Sequence, residues 1–274
     1  MSFLSNIIKN RKNNELIKRK KLERIIAITN QKGGVGKSTT AVNVSAYLSS
    51  FGYKTLLIDL DPQSNSTSGL GIDSTDIKQS IYDILIHDME PDEVILGTQY
   101  ENLKIIPSSI ELAGAEVELV SSLKREFKLK EAVSKIKRDY DFILIDCPPA
   151  LGLLTINALA AAREVIIPIQ CEYYALEGLG QLLNTIEMVK KNLNDKLIIK
   201  GAIMTMYDPR IKLAGQVIEE VKNFFSEKVY KTIIPRNVRL SEAPSYGKPI
   251  LEYDPGCKGA EAYSNFTKEV IENG

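Results

Sequence analysis

Short apolar runs recur along the chain at intervals typical of buried strands separated by helices. Each run contains four to eight residues, mostly Ile, Leu and Val, and polar or glycine-containing segments follow it. Continuous apolar runs indicate strands that are buried on both faces, as in a parallel sheet covered by helices. Seven such runs are present, at residues 25–28, 55–58, 103–106, 142–145, 165–169, 197–204 and 229–234.

The first two runs enclose a helical stretch. Ala41, Val44 and Leu48 recur at helical spacing, and Gly52 ends the stretch before the second run begins. Residues 25–61 therefore predict a right-handed βαβ unit. Repetition of this alternation predicts an α/β fold, with a doubly wound, mostly parallel sheet of about seven strands and helices on both faces. No linker interrupts residues 25–274, so we predict a single domain there.

The composition is that of a globular protein. Of the 274 residues, 44% are hydrophobic and 26% are charged, and the 35 basic and 35 acidic side chains cancel. No apolar run approaches the roughly 18 to 20 residues of a membrane helix. Three cysteines without a pairing motif argue against disulfides and structural zinc, and they favour the cytoplasm. His87 is the sole histidine, so a Ser/His/Asp triad is disfavoured.

Residues 1–24 differ from the rest of the chain. They carry eight Lys or Arg side chains against two Glu, a net charge of +6, although the whole chain is neutral. Phe3, Leu4, Ile7 and Ile8 have the spacing of one stripe of a short helix. We interpret the segment as a basic arm. Its role has three alternative interpretations: a solvated tail, a contact to DNA phosphate, or a contact to anionic lipid.

The strongest chemical signal follows the first predicted strand. Glycines there allow backbone N–H groups to turn toward a phosphate, Lys37 is placed to reach the β and γ phosphates, and Ser38 offers a hydroxyl to Mg²⁺. The pattern predicts a nucleoside triphosphate site and hence a P-loop NTPase. Its residues are Lys32, Gly33, Gly34, Val35, Gly36, Lys37, Ser38 and Thr39.

This loop departs from the ordinary P-loop pattern. Gln31 stands where that pattern has glycine, and a second lysine, Lys32, precedes the glycines. A side chain at the start of the loop cannot easily reach the phosphates that its own loop holds, so a partner's phosphates are its natural target. The sequence resembles the deviant Walker A family, K-G-G-x-x-K-[ST], and within it the ParA/Soj partition ATPases.

Four further stretches carry the same resemblance, which extends from Lys21 to the C-terminus but not over the basic arm. They are residues 58–63, 142–149, 170–178 and 234–245. In the first, Asp59 and Asp61 lie two apart at a strand's end and so face the same side. The resemblance implies that Asp61 orients the attacking water and that Asp59 supports the Mg²⁺ shell. Asp146 ends an apolar strand, as a Walker B aspartate does, and could hold Mg²⁺ through water.

The resemblance also implies how the chain works. Pro235, Arg236 and Asn237 match positions that hold the adenine, and Arg210 and Arg239 match DNA-binding positions. Lys32, Lys37 and Asp61 are then the catalytic residues. ATP and Mg²⁺ would drive a sandwich homodimer that binds duplex DNA nonspecifically, and a ParB-like partner would stimulate slow hydrolysis and release. We expect a cytoplasmic, nucleoid-associated protein that segregates DNA.

Three other classes share this nucleotide site. A MinD-like positioning ATPase should end in a basic amphipathic membrane helix, whereas residues 268–274 are acidic. An iron–sulfur relative needs paired cysteines at a dimer axis, and Cys147 is better interpreted as a small buried residue. A metabolic synthetase would show substrate-dependent ATP hydrolysis that is indifferent to DNA.

Overall fold

A computed structural model describes residues 23–172 and 178–273 of the chain. Within these residues, eight strands form one sheet in the order β3-β4-β2-β5-β1-β6-β7-β8. The strands are β1 (Arg24–Ile28), β2 (Thr55–Asp59), β3 (Leu96–Gly97), β4 (Leu103–Ile106), β5 (Phe142–Asp146), β6 (Glu164–Gln170), β7 (Ile198–Tyr207) and β8 (Val229–Pro235).

The predicted α/β fold is confirmed, with one more strand than expected. Seven strands pair in parallel, and they correspond to the seven apolar runs of the sequence. The additional strand, β3, pairs antiparallel with β4 at the edge of the sheet. It contains only two residues, Leu96 and Gly97, and so short a segment leaves no hydrophobic pattern to detect.

Helices cover both faces of the sheet and divide the core into two clusters. One face packs against the helices between residues 81 and 225, and the other packs against the first helix and the C-terminal helices. The helices are α1 (Lys37–Ser50), α2 (Asn65–Ser68), α3 (Ile81–His87), α4 (Pro91–Val94), α5 (Leu112–Glu118), α6 (Lys128–Ile136), α7 (Leu153–Ala161), α8 (Leu179–Asn192), α9 (Lys212–Phe225), α10 (Val238–Glu242), α11 (Ile250–Tyr253) and α12 (Lys258–Glu272).

The central strands are buried along their whole length. Every residue of β1, β2 and β5 is buried, because side chains that alternate across the sheet meet a helical layer on either side. Consecutive apolar residues are therefore required there. None of the helices in the described part of the chain combines the length and the apolar composition of a membrane-spanning segment.

Arg24 corrects the predicted boundary of the basic arm. We assigned it to the arm, but it is the first residue of β1 and is 5% exposed. Its Nε donates to Glu164 Oε1 on β6 at 2.9 Å, and its Nη1 donates to the carbonyl oxygen of Val270 on α12. Arg24 thus joins two strands to the C-terminal helix. The remainder of the arm, residues 1–22, lies outside the described residues.

In the edge strand β8, two backbone N–H groups donate hydrogen bonds to one side chain. The carboxylate of Glu269, on α12, accepts from the backbone N–H groups of Lys231 and Thr232, both at 2.8 Å. The Thr232 hydroxyl donates to the same carboxylate. At these positions the edge of the sheet is therefore already hydrogen-bonded.

Candidate functional site

The carboxyl ends of three central strands meet at one edge of the sheet. In the strand register, Asp146 at the end of β5 lies beside Asp59 at the end of β2 and beside Ile28 at the end of β1. The glycine-rich loop follows β1 directly. Since ligands of open α/β sheets bind outside the carboxyl ends of the strands, this is the expected place for the nucleotide.

The glycine-rich loop has a backbone conformation that requires glycine at two positions. Gly34 and Gly36 have φ values of 74° and 90°, a region that residues with a Cβ rarely adopt. The second of these glycines directly precedes α1, whose free N-terminal N–H groups favour an anion. From the opposite side, the Thr205 hydroxyl on β7 donates to the Val35 carbonyl oxygen at 2.8 Å.

Lys37 is buried in the loop. The residue is 6% exposed, and its Nζ donates to the Lys32 carbonyl oxygen at 3.1 Å. Burial lowers the pKa of Lys37 below its ordinary value, while the charges of Asp146 and Asp61 act in the opposite direction. A partly desolvated ammonium close to carboxylates is well suited to bind phosphate oxygens.

Lys32 lies differently from Lys37. Its side chain is 32% exposed, and its Nζ lies 3.8 Å from Glu172 Oε2. It is not among the residues that line the cavity beside the loop. The adjacent Gln31 donates through Nε2 to Gln181 Oε1 on α8 at 2.8 Å. The two lysines of the motif therefore point to different surroundings.

Asp59 and Asp61 are held by hydrogen bonds from the chain that follows them. Asp59 Oδ2 accepts from the Thr67 backbone N–H at 2.8 Å and from its hydroxyl at 2.7 Å. Asp59 Oδ1 accepts from the Asp61 N–H at 3.2 Å, and Asp61 Oδ1 accepts from the Gln63 N–H at 3.0 Å. These bonds fix both carboxylates at the end of β2.

Asp146 is fully buried, and one of its oxygens is unsatisfied. Oδ2 accepts from the Ser66 hydroxyl at 2.7 Å, whereas Oδ1 has no hydrogen-bond partner. Burial is the main cause that raises the pKa of Asp146 to about 6, and burial together with the charge of Asp146 raises the pKa of Asp59 to about 7. Such carboxylates are stabilised by a nearby cation.

These features fit a magnesium ion that is shared with a nucleotide. Among the described residues, no group of three or more His, Cys, Asp or Glu side chains could hold a metal ion. Mg²⁺ commonly keeps water and is bound through one or two carboxylates together with substrate phosphates. The unsatisfied oxygen of Asp146, near the hydroxyl of Ser38, meets this requirement.

A cavity of about 360 Å³ adjoins the glycine-rich loop. Its lining combines the loop, the start of α1, the turn after β2 and the loop after β5. The residues are Gly33, Gly34, Gly36, Lys37, Ser38, Thr39, Val42, Asn43, Asp61, Gln63, Asn65, Gly69, Pro149, Met206, Ala243, Pro244 and Lys248. The cavity thus brings together six of the eight predicted loop residues, without Lys32 and Val35.

Comparisons with known proteins agree with this geometry. A family model described as an AAA domain matches residues 23–199. Sporulation initiation inhibitor protein Soj of Bacillus subtilis is 60% identical over 251 residues, which are 92% of this chain and 99% of that protein. Chromosome partitioning protein ParA of Myxococcus xanthus is 52% identical over 248 residues, 90% of this chain and 88% of that protein. The chain belongs to the ParA/Soj family of chromosome-partitioning ATPases.

Solved structures of the wider fold are also similar to this ParA/Soj chain. Cobyrinic acid a,c-diamide synthase of Mycobacterium smegmatis, with bound ADP and magnesium, has a TM-score of 0.80 and 38% identity. The match covers 91% of this chain and 94% of the synthase chain. The fold is therefore shared with an enzyme of a different name, and the function of the site has to be inferred from its own residues.

The three residues predicted to hold adenine lie where β8 ends and α10 begins. Pro235 ends β8, the Arg236 N–H donates to the Tyr207 carbonyl oxygen at 2.8 Å, and Asn237 caps α10. None of the three lines the described cavity, where Met206 and Pro244 lie instead. Their role in this ParA/Soj chain stays a prediction.

The two predicted DNA-binding arginines follow the ends of β7 and β8, which are neighbouring strands. Arg210 is 86% exposed in its side chain and donates to both oxygens of Asp208, at 2.9 and 2.6 Å. These bonds lower the pKa of Asp208 to about 2. Arg239 donates to Glu242 at 2.9 Å and lies 3.4 Å from Asp254. Both arginines reach solvent, but each is paired with a carboxylate.

Several supporting residues were missed by the sequence analysis. Ser66 and Thr67 hold the two buried aspartates, and Thr205 holds the loop from a distant strand. The polar run around residues 64–68 was a usable signal, because hydroxyl side chains directly after a carboxylate pair can donate to it. Nothing local to Thr205 indicates its partner, which lies 170 positions earlier.

Proposed function

We propose that this ParA/Soj protein segregates DNA through a nucleotide-controlled homodimer. The observation that carries the proposal is the different placement of the two lysines. Lys37 is buried within its own site, whereas Lys32 is half-exposed and does not line that site. A lysine at this position is available to the phosphates of a second protomer, and such a contact would form only when nucleotide is bound.

In this proposal ATP and Mg²⁺ occupy the cavity. The loop residues 33–39 bind the phosphates, Lys37 neutralises their charge, and Ser38 and Asp146 hold the ion, with Asp59 in support. When bound, Mg²⁺ supplies charge stabilisation at the phosphate oxygens. Asp61 lines the cavity and is fixed by the Gln63 N–H, so it can orient the attacking water.

Hydrolysis in this proposal is slow until a ParB-like partner accelerates it. Phosphoryl transfer depends on positioning and charge stabilisation more than on a strong base. Two buried carboxylates and a desolvated lysine already supply the charges, but Lys32 must come from the other protomer. We expect Asp61→Ala to bind ATP and to lose hydrolysis; an unchanged hydrolysis rate would contradict the role of Asp61.

DNA binding is assigned to the surface after β7 and β8. The twofold axis of a dimer would place two copies of Arg210 and Arg239 on one face, and each neutralised phosphate adds about 0.9 to the salt dependence of binding. The carboxylates that pair with these arginines reduce the local net charge in the monomer. Weak binding by the monomer and stronger binding by the dimer follow, which makes the protein nucleoid-associated only with ATP.

The decisive experiment measures retention of the protein on nonspecific duplex DNA with ATP and with ADP, at two salt concentrations. We expect salt-sensitive retention with ATP only, and its loss in Lys32→Ala and in the double variant Arg210→Ala/Arg239→Ala. A matched control is Arg163→Ala/Lys196→Ala, which removes the same charge from exposed residues before β6 and β7, at the other end of the sheet. Equal loss in the control would overturn the assigned DNA surface.

Two alternative functions are outcomes of the same experiment. A metabolic synthetase is favoured by the 38% identity to the cobyrinic acid a,c-diamide synthase, and it would ignore DNA and hydrolyse ATP only with its substrate. A MinD-like ATPase would bind vesicles through an amphipathic helix. The apolar face of α12, with Tyr263, Phe266 and Val270, is buried against the core, so this helix is not available for that purpose.

A further inference from the structure

A glutamate on α5 reaches across to the start of α7. Glu116 Oε1 lies 3.4 Å from the Leu154 N–H, in the first turn of α7. The N-terminal cap of α7 is Gly152, which has no side chain to bond the free N–H groups of that turn. Free N–H groups and the helix dipole both favour a carboxylate at this place. Glu116 therefore serves as the missing cap from a different helix.

Gly152 provides the space for this contact. A Cβ at this position would lie 2.0 Å from Glu116 Oε1 and 2.6 Å from its Cδ. The φ of Gly152 is −89°, a value that any residue adopts. The absence of a side chain, rather than an unusual backbone conformation, is therefore what the contact requires.

The capped end of α7 is also one end of the loop that borders the nucleotide cavity. This loop, residues 147–152, begins after Asp146 on β5, and its Pro149 lines the cavity. The Thr155 hydroxyl, within α7, donates to the Ala150 carbonyl oxygen at 2.6 Å. Since prolines 148 and 149 stiffen the loop, a shift at its α7 end is transmitted to the residue that faces the cavity.

We infer that Glu116 is a positioning residue for ATP hydrolysis, which acts through the loop 147–152. The inference rests on the proposed ATPase function and adds a residue outside the nucleotide cavity. In the proposed function the residues 33–39 hold the phosphates without Glu116, so nucleotide binding does not depend on it. The geometry of the reacting groups does depend on Glu116, because Pro149 of the loop 147–152 lines the same cavity.

The test compares steady-state ATP hydrolysis of the wild type with that of three variants. We expect Glu116→Ala to lower kcat about three- to tenfold with KM nearly unchanged, since loss of positioning affects the transition state more than binding. Glu116→Gln keeps an oxygen that can accept from the Leu154 N–H, and we expect it to recover most of the lost kcat. Gly152→Ala should act like Glu116→Ala, because the new methyl group displaces the carboxylate.

A double variant makes the test specific to this contact. Glu116→Ala/Gly152→Ala should be no slower than either single variant, because both remove one and the same contact. The control is Glu118→Ala on the same helix, whose carboxylate accepts from the exposed Tyr82 hydroxyl at 3.1 Å, and it should behave like the wild type.

The outcomes separate this inference from the proposed function. A wild-type kcat in both Glu116→Ala and Gly152→Ala overturns the inference, as does an additive loss in the double variant. If Glu116→Ala does not fold, Gly152→Ala and Glu116→Gln carry the same comparison. A wild-type protein that does not hydrolyse ATP, even with DNA and partner present, would instead overturn the proposed function.

Discussion

At the scale of single residues, the site concentrates negative charge before any cation is bound. Asp59 and Asp146 lie side by side at the ends of β2 and β5, and both are buried. Burial of two neighbouring carboxylates is unfavourable in the nucleotide-free protein, as their raised pKa values show. The same arrangement favours a bound cation. The two carboxylates therefore lower the stability of the folded protein and raise its affinity for the cation.

Asp146→Asn tests this exchange. A folded-state pKa above the ordinary value means that ionisation destabilises the fold, and the penalty is present above pH 6 and absent near pH 4. We expect the variant without nucleotide to be more stable than the wild type at pH 8, an advantage that disappears toward pH 4. Urea unfolding at both pH values measures it.

Nucleotide provides the control for this prediction. Saturating ATP with Mg²⁺ should raise the melting temperature of the wild type much more than that of Asp146→Asn. A ligand that binds the folded state stabilises it, and the variant lacks the carboxylate charge that would hold Mg²⁺. A variant that is less stable than the wild type at pH 8 without nucleotide would show that the carboxylate is not under electrostatic strain.

The sequence allows prediction of residues whose partner is a ligand, and much less of those whose partner is another part of the chain. Gly34, Gly36 and Lys37 were predicted because they have the spacing that a phosphate-binding loop requires. Thr205 and Glu116 act on loops that are distant in sequence. Their chemistry is ordinary, and only the fold shows what they contact.

At the scale of elements, apolar runs identify strands best where both faces are covered. This condition holds along the whole of β1, β2 and β5, and the other four parallel strands were also predicted from their apolar runs. The two-residue edge strand β3 is too short to form such a run. The start of β1 was predicted one residue late, because Arg24 interrupts the apolar pattern with a charge. The charge is tolerated because Glu164 neutralises it and Phe142 lies beneath the guanidinium, 5.4 Å away.

The Arg24 contacts predict a large loss of stability when one partner is removed. Arg24→Ala leaves the Glu164 carboxylate buried without a partner, and we expect the free energy of unfolding to fall by about 3–5 kcal/mol. Arg24→Leu/Glu164→Leu removes both charges and should fall by less. Urea unfolding of the two variants measures the difference.

A surface pair supplies the comparison. Lys135 and Glu90 lie 2.6 Å apart but are 48% and 56% exposed, and Lys135→Ala should change the free energy of unfolding by less than about 1 kcal/mol. An equal effect of Arg24→Ala and Lys135→Ala would mean that burial does not strengthen the Arg24 contact.

At the scale of the whole molecule, a neutral net charge conceals an uneven distribution. Residues 1–22 carry seven Lys or Arg against one Glu, so the rest of the chain is acidic overall. The net charge of the ATPase domain therefore gives no general attraction to DNA, and the proposed DNA binding needs a local positive surface. A local surface or the arm has to supply the positive charge.

Deletion of residues 1–22 separates these two sources. We predict weaker retention on DNA with ATP, or weaker retention on anionic vesicles, while the requirement for ATP in DNA retention persists. The deletion ends before Glu23, since Arg24 belongs to β1. Replacing the seven basic residues with Gln is the matched variant, because it keeps the apolar stripe of Phe3, Leu4, Ile7 and Ile8. If both variants are retained on DNA and on anionic vesicles as well as the wild type is, the arm is only a solvated tail.

The hydrogen bonds from the edge of β8 to Glu269 have a consequence for assembly. A bare edge strand can recruit a strand from another molecule and so start open-ended aggregation. Here the N–H groups of Lys231 and Thr232 on this edge strand are already engaged within the chain, so they are not free to pair with another strand. Contacts between copies of this protein are therefore directed to side-chain surfaces rather than to strand pairing at this part of the sheet edge.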